Sequence, residues 1–198
     1  AAAAATLRQQ MFCAEYVLLV AWFSALFVPE QFYVLSVKDQ RGSDAARLYT
    51  SFYAVSALVA PLSGLAVDRV GFGPVLTANT TMVGLSMFLL GTESLELVSF
   101  TLYVCGRVSV FATYFSFMLM RFGPRNYGAL AGTGLLVSAV AGLAQYPLFR
   151  WGLSDGFENP NLLCVGICAA CVPFGVGVWV RERTTTTRAE SGAESSSI

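Results

Sequence analysis

Two charged side chains, Glu30 and Arg107, stand deep inside apolar stretches of the sequence, where an unpaired charge is costly. Helical spacing places Tyr103, Arg107 and Tyr114 on one face of a helix, and Glu30 and Tyr33 on one face of another. A base flanked by aromatic rings suits a small molecule that has a carboxylate and an apolar side chain. The same acid and base could instead form an ion pair that only locks two helices together.

Catalytic and metal-binding chemistry finds little support in the sequence. The 198 residues contain no histidine, and no carboxylate pair or serine–lysine set occurs at a workable depth, which argues against an enzyme. Cys164, Cys168 and Cys171 share a helix face, but without histidine or a nearby carboxylate we expect them to pack as small apolar side chains. We therefore predict a protein without catalytic residues, metal or cofactor.

The composition predicts a polytopic membrane protein. Hydrophobic residues make up 56% of the chain, charged residues only 12%, and the mean hydropathy is +0.63. Soluble domains carry about 25% charged residues. The formal net charge is zero and no basic patch with interleaved aromatic residues occurs, so nucleic acid is not an expected partner.

Apolar runs broken by charge, glycine and proline predict six membrane-spanning helices, and no run alternates as a strand would. Each run is long enough to cross a hydrocarbon core about 30 Å thick. The predicted spans are approximately Met11–Val37, Leu48–Val67, Pro74–Gly91, Leu97–Met120, Tyr127–Phe149 and Leu162–Val180.

Positive charge is unevenly divided between the two sets of connections. Seven bases lie on the side that holds both termini: Arg8, Arg69, Arg121, Arg125, Arg181, Arg183 and Arg188. Four lie on the other side: Lys38, Arg41, Arg47 and Arg150. The positive-inside rule therefore predicts cytoplasmic termini. We expect residues 1–10 to be a cytoplasmic linker, 11–180 a transmembrane bundle, and the polar segment 181–198 a disordered cytoplasmic tail.

The connection between the second and third spans contains an acid and a base, Asp68 and Arg69, bracketed by Gly64 and Gly71. Gly64 is expected to let the end of one helix approach its neighbour closely. A tight reversal explains the glycine after the pair, and Pro74 suits the first turn of the next helix. Asp68 is expected just before that helix, where the helix dipole favours a negative charge. A solvated turn that only sets the topology is the alternative interpretation.

This G-x-x-x-D-R-x-G loop resembles the signature loop of the major facilitator superfamily, which joins helices two and three, and helices eight and nine, on the cytoplasmic face. The resemblance implies that Gly64, Asp68, Arg69 and Gly71 belong to a conformational switch. Phe72 and Gly73 stand where the family's fuller pattern continues with basic residues. The polar tail and the number of spans favour the C-terminal six-helix half, built as two inverted three-helix repeats.

A second resemblance is to the large neutral amino-acid transporters within that superfamily. It is carried by a Phe-Tyr pair in the first span, by Arg107, and by a glycine-rich stretch from Arg121 to Phe149. In that stretch Gly128 and Gly132 form a small-xxx-small pair, continued at Ser138, Ala139 and Gly142, that would let another helix approach closely. The resemblance implies sodium-independent movement of branched or aromatic amino acids.

In this family the first helix of each three-helix repeat lines the central cavity, and Glu30 and Arg107 lie on those two helices. We therefore expect substrate contacts from Arg107, Glu30, Tyr33, Tyr103, Tyr114 and Gln145, although a helix cap would explain Gln145 equally well. The expected partners are a small solute, the lipid bilayer, and an N-terminal six-helix half or a second copy. The expected function is alternating-access transport. The alternative is a non-transporting assembly partner or a truncated half-transporter.

Overall fold

The regular structure of the described chain is entirely helical. The computed structural model describes the backbone of residues 6–195 and their side chains except at positions 55, 57, 93 and 185–195. Eight α-helices follow in order: α1 Leu7–Met11, α2 Ala14–Val55, α3 Val59–Val70, α4 Phe72–Leu90, α5 Glu96–Phe122, α6 Tyr127–Gly142, α7 Gln145–Asp155 and α8 Glu158–Ser195. Short 3₁₀ turns lie at Ser56–Leu58 and Glu93–Leu95.

Among the described residues, five helical segments are long and apolar enough to cross a membrane, where the sequence predicts six. They are Ala14–Ala54, Phe72–Leu90, Glu96–Phe122, Tyr127–Asp155 and Glu158–Thr184. The difference lies in the predicted span Leu48–Val67, because the 3₁₀ turn divides it between the end of α2 and the short helix α3. The all-helical, multi-pass membrane class is confirmed.

Glycines in a left-handed conformation mark the main changes of direction in the described chain. Gly42, Gly71, Gly123 and Gly156 have φ of 86°, 86°, 77° and 91°. A side chain at such a φ is strained, so glycine suits these positions. Gly42 interrupts the helical φ/ψ values within α2, and the other three each follow the last residue of a helix.

Contacts between helix ends show that successive stretches of the chain alternate in direction. At one end, Arg121 near the end of α5 bonds to Glu15 near the start of α2, and α8 reaches the start of α4. We call this the basic end. At the opposite end, Arg41 donates to the carbonyl oxygen of Leu90 at 2.7 Å. The predicted separation of Arg121 and Arg181 from Lys38 and Arg41 therefore holds.

The small residues of α6 pack against α2, but they are not the predicted pair. A Cβ at Gly134 would collide with the Tyr114 hydroxyl group, and one at Gly142 would lie 2.9 Å from Phe27. Between them, Ser138 shares a 2.9 Å hydrogen bond with Ser24 of α2. By contrast, a Cβ at Gly128 or Gly132 would meet nothing within 4 Å. The close face is therefore Gly134–Ser138–Gly142: Ser138 and Gly142 lie on it as predicted, whereas the predicted Gly128–Gly132 pair does not.

Large apolar side chains cover much of the outer surface. Leu58 is 70% exposed, Leu136 66% and Leu162 65%. Extensive exposed apolar surface is unusual for a water-soluble monomer and is expected where lipid is the solvent.

The last helix continues beyond the predicted final span. Composition predicts disorder over 181–198, whereas the backbone of α8 is helical through Ser195, and positions 196–198 lie outside the described residues. Once a helix exists, each further residue adds a backbone hydrogen bond.

Candidate functional site

Glu30 and Arg107 meet in the interior between α2 and α5. The Glu30 side chain is fully buried, and the Arg107 side chain is 13% exposed. Arg107 Nη1 lies 3.8 Å from Glu30 Oε2, which is an ion pair but is too long for a hydrogen bond. Glu30 directly follows Pro29, which lies inside α2 and has no N–H to donate to the preceding turn.

Tyr103 connects the two charged residues. Arg107 Nη1 donates to the Tyr103 hydroxyl oxygen at 2.9 Å. The Tyr103 hydroxyl group in turn donates to the backbone carbonyl oxygen of Glu30 at 2.6 Å. Because a phenol has one proton, Tyr103 cannot also donate to the Glu30 carboxylate. Tyr103 therefore holds the guanidinium group and the helix backbone in place but leaves the acid without a donor.

A cluster of tyrosines forms one wall of this site. The rings of Tyr33 and Tyr103 stack with centroids 3.9 Å apart and planes 10° from parallel. The Tyr33 hydroxyl group lies 2.7 Å from Ser99 Oγ, and Ser99 donates to the carbonyl oxygen of Ser86. Tyr49 packs against both rings at 6.0 and 5.8 Å. Sequence reasoning missed Tyr49 because it lies beyond Gly42, in a stretch judged only for length and hydropathy.

Neither carboxylate oxygen of Glu30 has a hydrogen-bond partner among the described residues. Buried polar atoms are rarely left in this state, and each such case needs a physical explanation. In a site built from tyrosines and an arginine, an acid without a donor is the feature that ordinary packing explains least well.

Two of the six residues predicted to contact the substrate lie away from Glu30 and Arg107. Tyr114 stacks on Phe23 at 4.2 Å and is separated from Arg107 by the ring of Phe111. Gln145 is half-buried as the first residue of α7, and within the described residues its side chain makes no hydrogen bond. The structure therefore brings together Glu30, Arg107, Tyr33 and Tyr103, which we call the buried site.

The Asp68–Arg69 loop differs from the sequence hypothesis. Both side chains are exposed in the last turn of α3, and Asp68 does not cap α4. The Glu182 carboxylate accepts hydrogen bonds from the backbone N–H groups of Phe72 and Gly73, each at 3.1 Å. The expected negative charge at the start of α4 is therefore present, but α8 supplies it.

The sequence hypothesis gave the close-packing role in this loop to Gly64, but Gly71 and Gly73 have that role instead. A Cβ at Gly71 would lie 2.8 Å from Glu182 Oε2, and one at Gly73 would collide with the backbone of Trp179. A Cβ at Gly64 would meet nothing within 4 Å. Gly71 and Gly73 thus let α8 approach the start of α4.

A cavity of about 540 Å³ opens at the basic end, away from the buried site. Its walls are apolar, and two arginines and two glutamates stand around them. The lining residues are Glu15, Leu18, Phe72, Phe117, Met120, Arg121, Phe174, Val178, Arg181 and Glu182. None of them belongs to the buried site, so this cavity does not by itself identify a route to Arg107.

Comparison of the chain with protein-family models, with curated proteins and with solved structures found no match. What the fold defines is the class of multi-pass helical membrane proteins.

Proposed function

We propose that this chain is a six-helix half of a secondary transporter that moves small organic solutes of the amino-acid class by alternating access. In this proposal residues 43–70 cross the membrane as one interrupted helix between Gly42 and Gly71. The six crossings are then 14–41, 43–70, 72–90, 96–122, 127–155 and 158–184. The first three and the last three form two inverted repeats.

The pattern of helix contacts supports this repeat. If the two triplets are equivalent, crossing one corresponds to crossing four, and crossing five corresponds to crossing two. A contact between crossings one and five should then have a counterpart between crossings four and two. Both occur, as Ser24–Ser138 and as Phe100–Tyr49. Crossings one and four map onto each other, and Phe23 stacks on Tyr114 between them.

A second pair of contacts follows the same correspondence. The contact of crossings three and four, where Asn79 bonds to Thr113, corresponds to that of crossings six and one, where Trp22 packs on Phe174. The turn glycines correspond too: Gly42 with Gly123, and Gly71 with Gly156. A bundle of unrelated helices has no reason to repeat its contacts and its turns in this way.

The observation on which the transport proposal mainly depends is the charge pair of the buried site. Glu30 lies on the first crossing of one repeat and Arg107 on the first crossing of the other. Ionisable residues inside membrane segments are costly and are commonly functional. The Arg107 guanidinium group, with the Phe111 ring 5.7 Å from its central carbon, offers a cation beside an aromatic surface. This arrangement suits a solute with a carboxylate and an apolar side chain.

Uptake of radiolabelled leucine into proteoliposomes tests the proposal. We expect Arg107→Ala to abolish uptake while the variant still inserts and elutes as a single species. Arg150→Ala is the matched control, since Arg150 is an exposed arginine at the opposite end, and it should leave uptake unchanged. Uptake by Arg107→Ala at the wild-type rate would remove Arg107 from the mechanism.

The same assay tests what the chain must pair with. Uptake by the chain alone supports assembly of two copies, and uptake only after addition of an N-terminal half supports a half-transporter. Absence of uptake in both preparations overturns the proposal and favours the non-transporting assembly partner.

A further inference from the structure

The carboxyl group of Glu30 is buried and accepts no hydrogen bond from the part of the chain that the structure describes. The Arg107 guanidinium group is 3.8 Å away, and its Nη1 donates to the Tyr103 hydroxyl oxygen instead. The Tyr103 proton points to a backbone carbonyl oxygen. The recorded hydrogen bonds of Arg107 Nη1 and of the Tyr103 hydroxyl group therefore go to other acceptors, and Glu30 interacts with Arg107 only through the longer ion pair.

Among the described residues, the other titratable groups around Glu30 do not donate a hydrogen bond to its carboxylate. Tyr49, from the part of α2 beyond Gly42, and Cys168, from α8, are near enough to interact with the carboxyl group, as is Tyr103. None of the three is a cation. The charge state of Glu30 therefore depends on two opposing factors, the attraction of Arg107 and the burial of the acid.

Burial disfavours an ionised carboxylate that accepts no hydrogen bonds, and Arg107 alone compensates for this cost. The Arg107 side chain keeps a small exposed fraction, whereas Glu30 has none. A solute carboxylate would thus reach Arg107 and not Glu30. When the guanidinium group turns towards a solute, Glu30 loses the only cation that stabilises its ionised form within the described site.

We propose that Glu30 carries one proton for each solute carboxylate that binds Arg107, so that solute and proton cross together. Solute binding draws Arg107 away from Glu30, and one proton from solution then binds a Glu30 carboxylate oxygen. Release of the solute returns Arg107 to Glu30, and the proton leaves on that side of the membrane. No other bond forms or breaks. This inference rests on the proposed transport function and adds its coupling ion.

Two transport assays separate the coupling from the transport itself. In proteoliposomes with the membrane potential clamped, an inward proton gradient should make the wild type accumulate leucine by about tenfold per pH unit, as expected for one proton per solute. Exchange of labelled for unlabelled leucine needs no gradient. Glu30→Gln should lose accumulation but keep an exchange that no longer depends on pH.

The matched control is Glu15→Gln, because Glu15 is an acid of the same helix that bonds to Arg121 at the basic end. It should accumulate leucine like the wild type. Wild-type exchange without gradient-driven accumulation would overturn proton coupling and leave transport intact. Absence of wild-type exchange would overturn both.

Infrared difference spectroscopy follows the proton directly, without a gradient. Addition of leucine to the wild type should increase the band of a protonated carboxyl group. This increase should be absent in Glu30→Gln and present in Glu15→Gln. A wild-type spectrum that does not change in this region, or an increase that survives Glu30→Gln, would overturn the proposal.

Discussion

Removal of the Glu182 carboxylate provides a sharp test of how α8 meets α4. This carboxylate accepts hydrogen bonds from the first two backbone N–H groups of α4, Phe72 and Gly73, each at 3.1 Å. Loss of a side-chain cap at a helix start typically costs about 1 kcal/mol and at most about 2. A negative charge near a helix start contributes about 0.3–1 kcal/mol in addition. Glu182→Ala should therefore lower the free energy of unfolding by roughly 1–2 kcal/mol.

Asp68→Ala is the informative comparison, because the sequence motif assigns this capping role to Asp68. The structure places Asp68 on an exposed surface in the last turn of α3, where the helix dipole disfavours an acid. Its removal should leave stability unchanged or raise it by a few tenths of a kcal/mol.

The assay is unfolding by titration with sodium dodecyl sulfate in lipid bicelles, followed by tryptophan fluorescence. Glu182→Gln, which keeps an acceptor oxygen but loses the charge, should fall between the wild type and Glu182→Ala. If Asp68→Ala destabilises the protein more than Glu182→Ala does, the role assigned to Glu182 is wrong.

Three further outcomes are expected in the same assay. Arg107→Ala should cost up to about 3–5 kcal/mol at a pH high enough to keep Glu30 ionised, because it leaves a buried acid without a counter-charge, and less where Glu30 takes up a proton; Glu30→Gln in the same chain should recover much of the high-pH loss, and an additive double variant would contradict the ion pair. Gly134→Ala should lower the free energy of unfolding by about 1–3 kcal/mol, because its methyl group meets a buried tyrosine hydroxyl group. Gly132→Ala has open space and should be neutral. Equal effects of the two substitutions would refute the assigned packing face. Glu15→Gln should lower the free energy of unfolding by about 1 kcal/mol or less, and the difference from the wild type should disappear in high salt, because the partner Arg121 is half exposed. A difference that persists in high salt would indicate a buried pair.

Sequence reasoning predicted features that depend on one-dimensional patterns. Hydropathy and charge density predict membrane helices, and the distribution of arginines predicts which connections share an end. Glu30 and Arg107 were recognisable because a charge inside an apolar run is rare. Helical spacing also placed Tyr103 beside Arg107, since residues four apart share a helix face.

Features that depend on pairing between distant segments were not predictable. Glu182 lies in a polar tail and has no local sign of its role at α4. The choice of Gly134 over Gly132 as the close-packed residue follows from the rotation of α6 against α2, which periodicity does not determine when both faces carry small residues. Tyr114 shares the Arg107 face in spacing, but Phe111 and Phe23 occupy the space between them.

The contact between α8 and α4 has a consequence for biosynthesis. Phe72 and Gly73 are separated from Glu182 by 110 and 109 positions, so the ribosome releases the start of α4 long before its cap exists. Until then those amide groups must be satisfied by water or lipid headgroups. Insertion of α8 would supply the cap of α4, and a nascent chain that stops short of Glu182 would present an unfinished helix end to the quality-control machinery of the membrane.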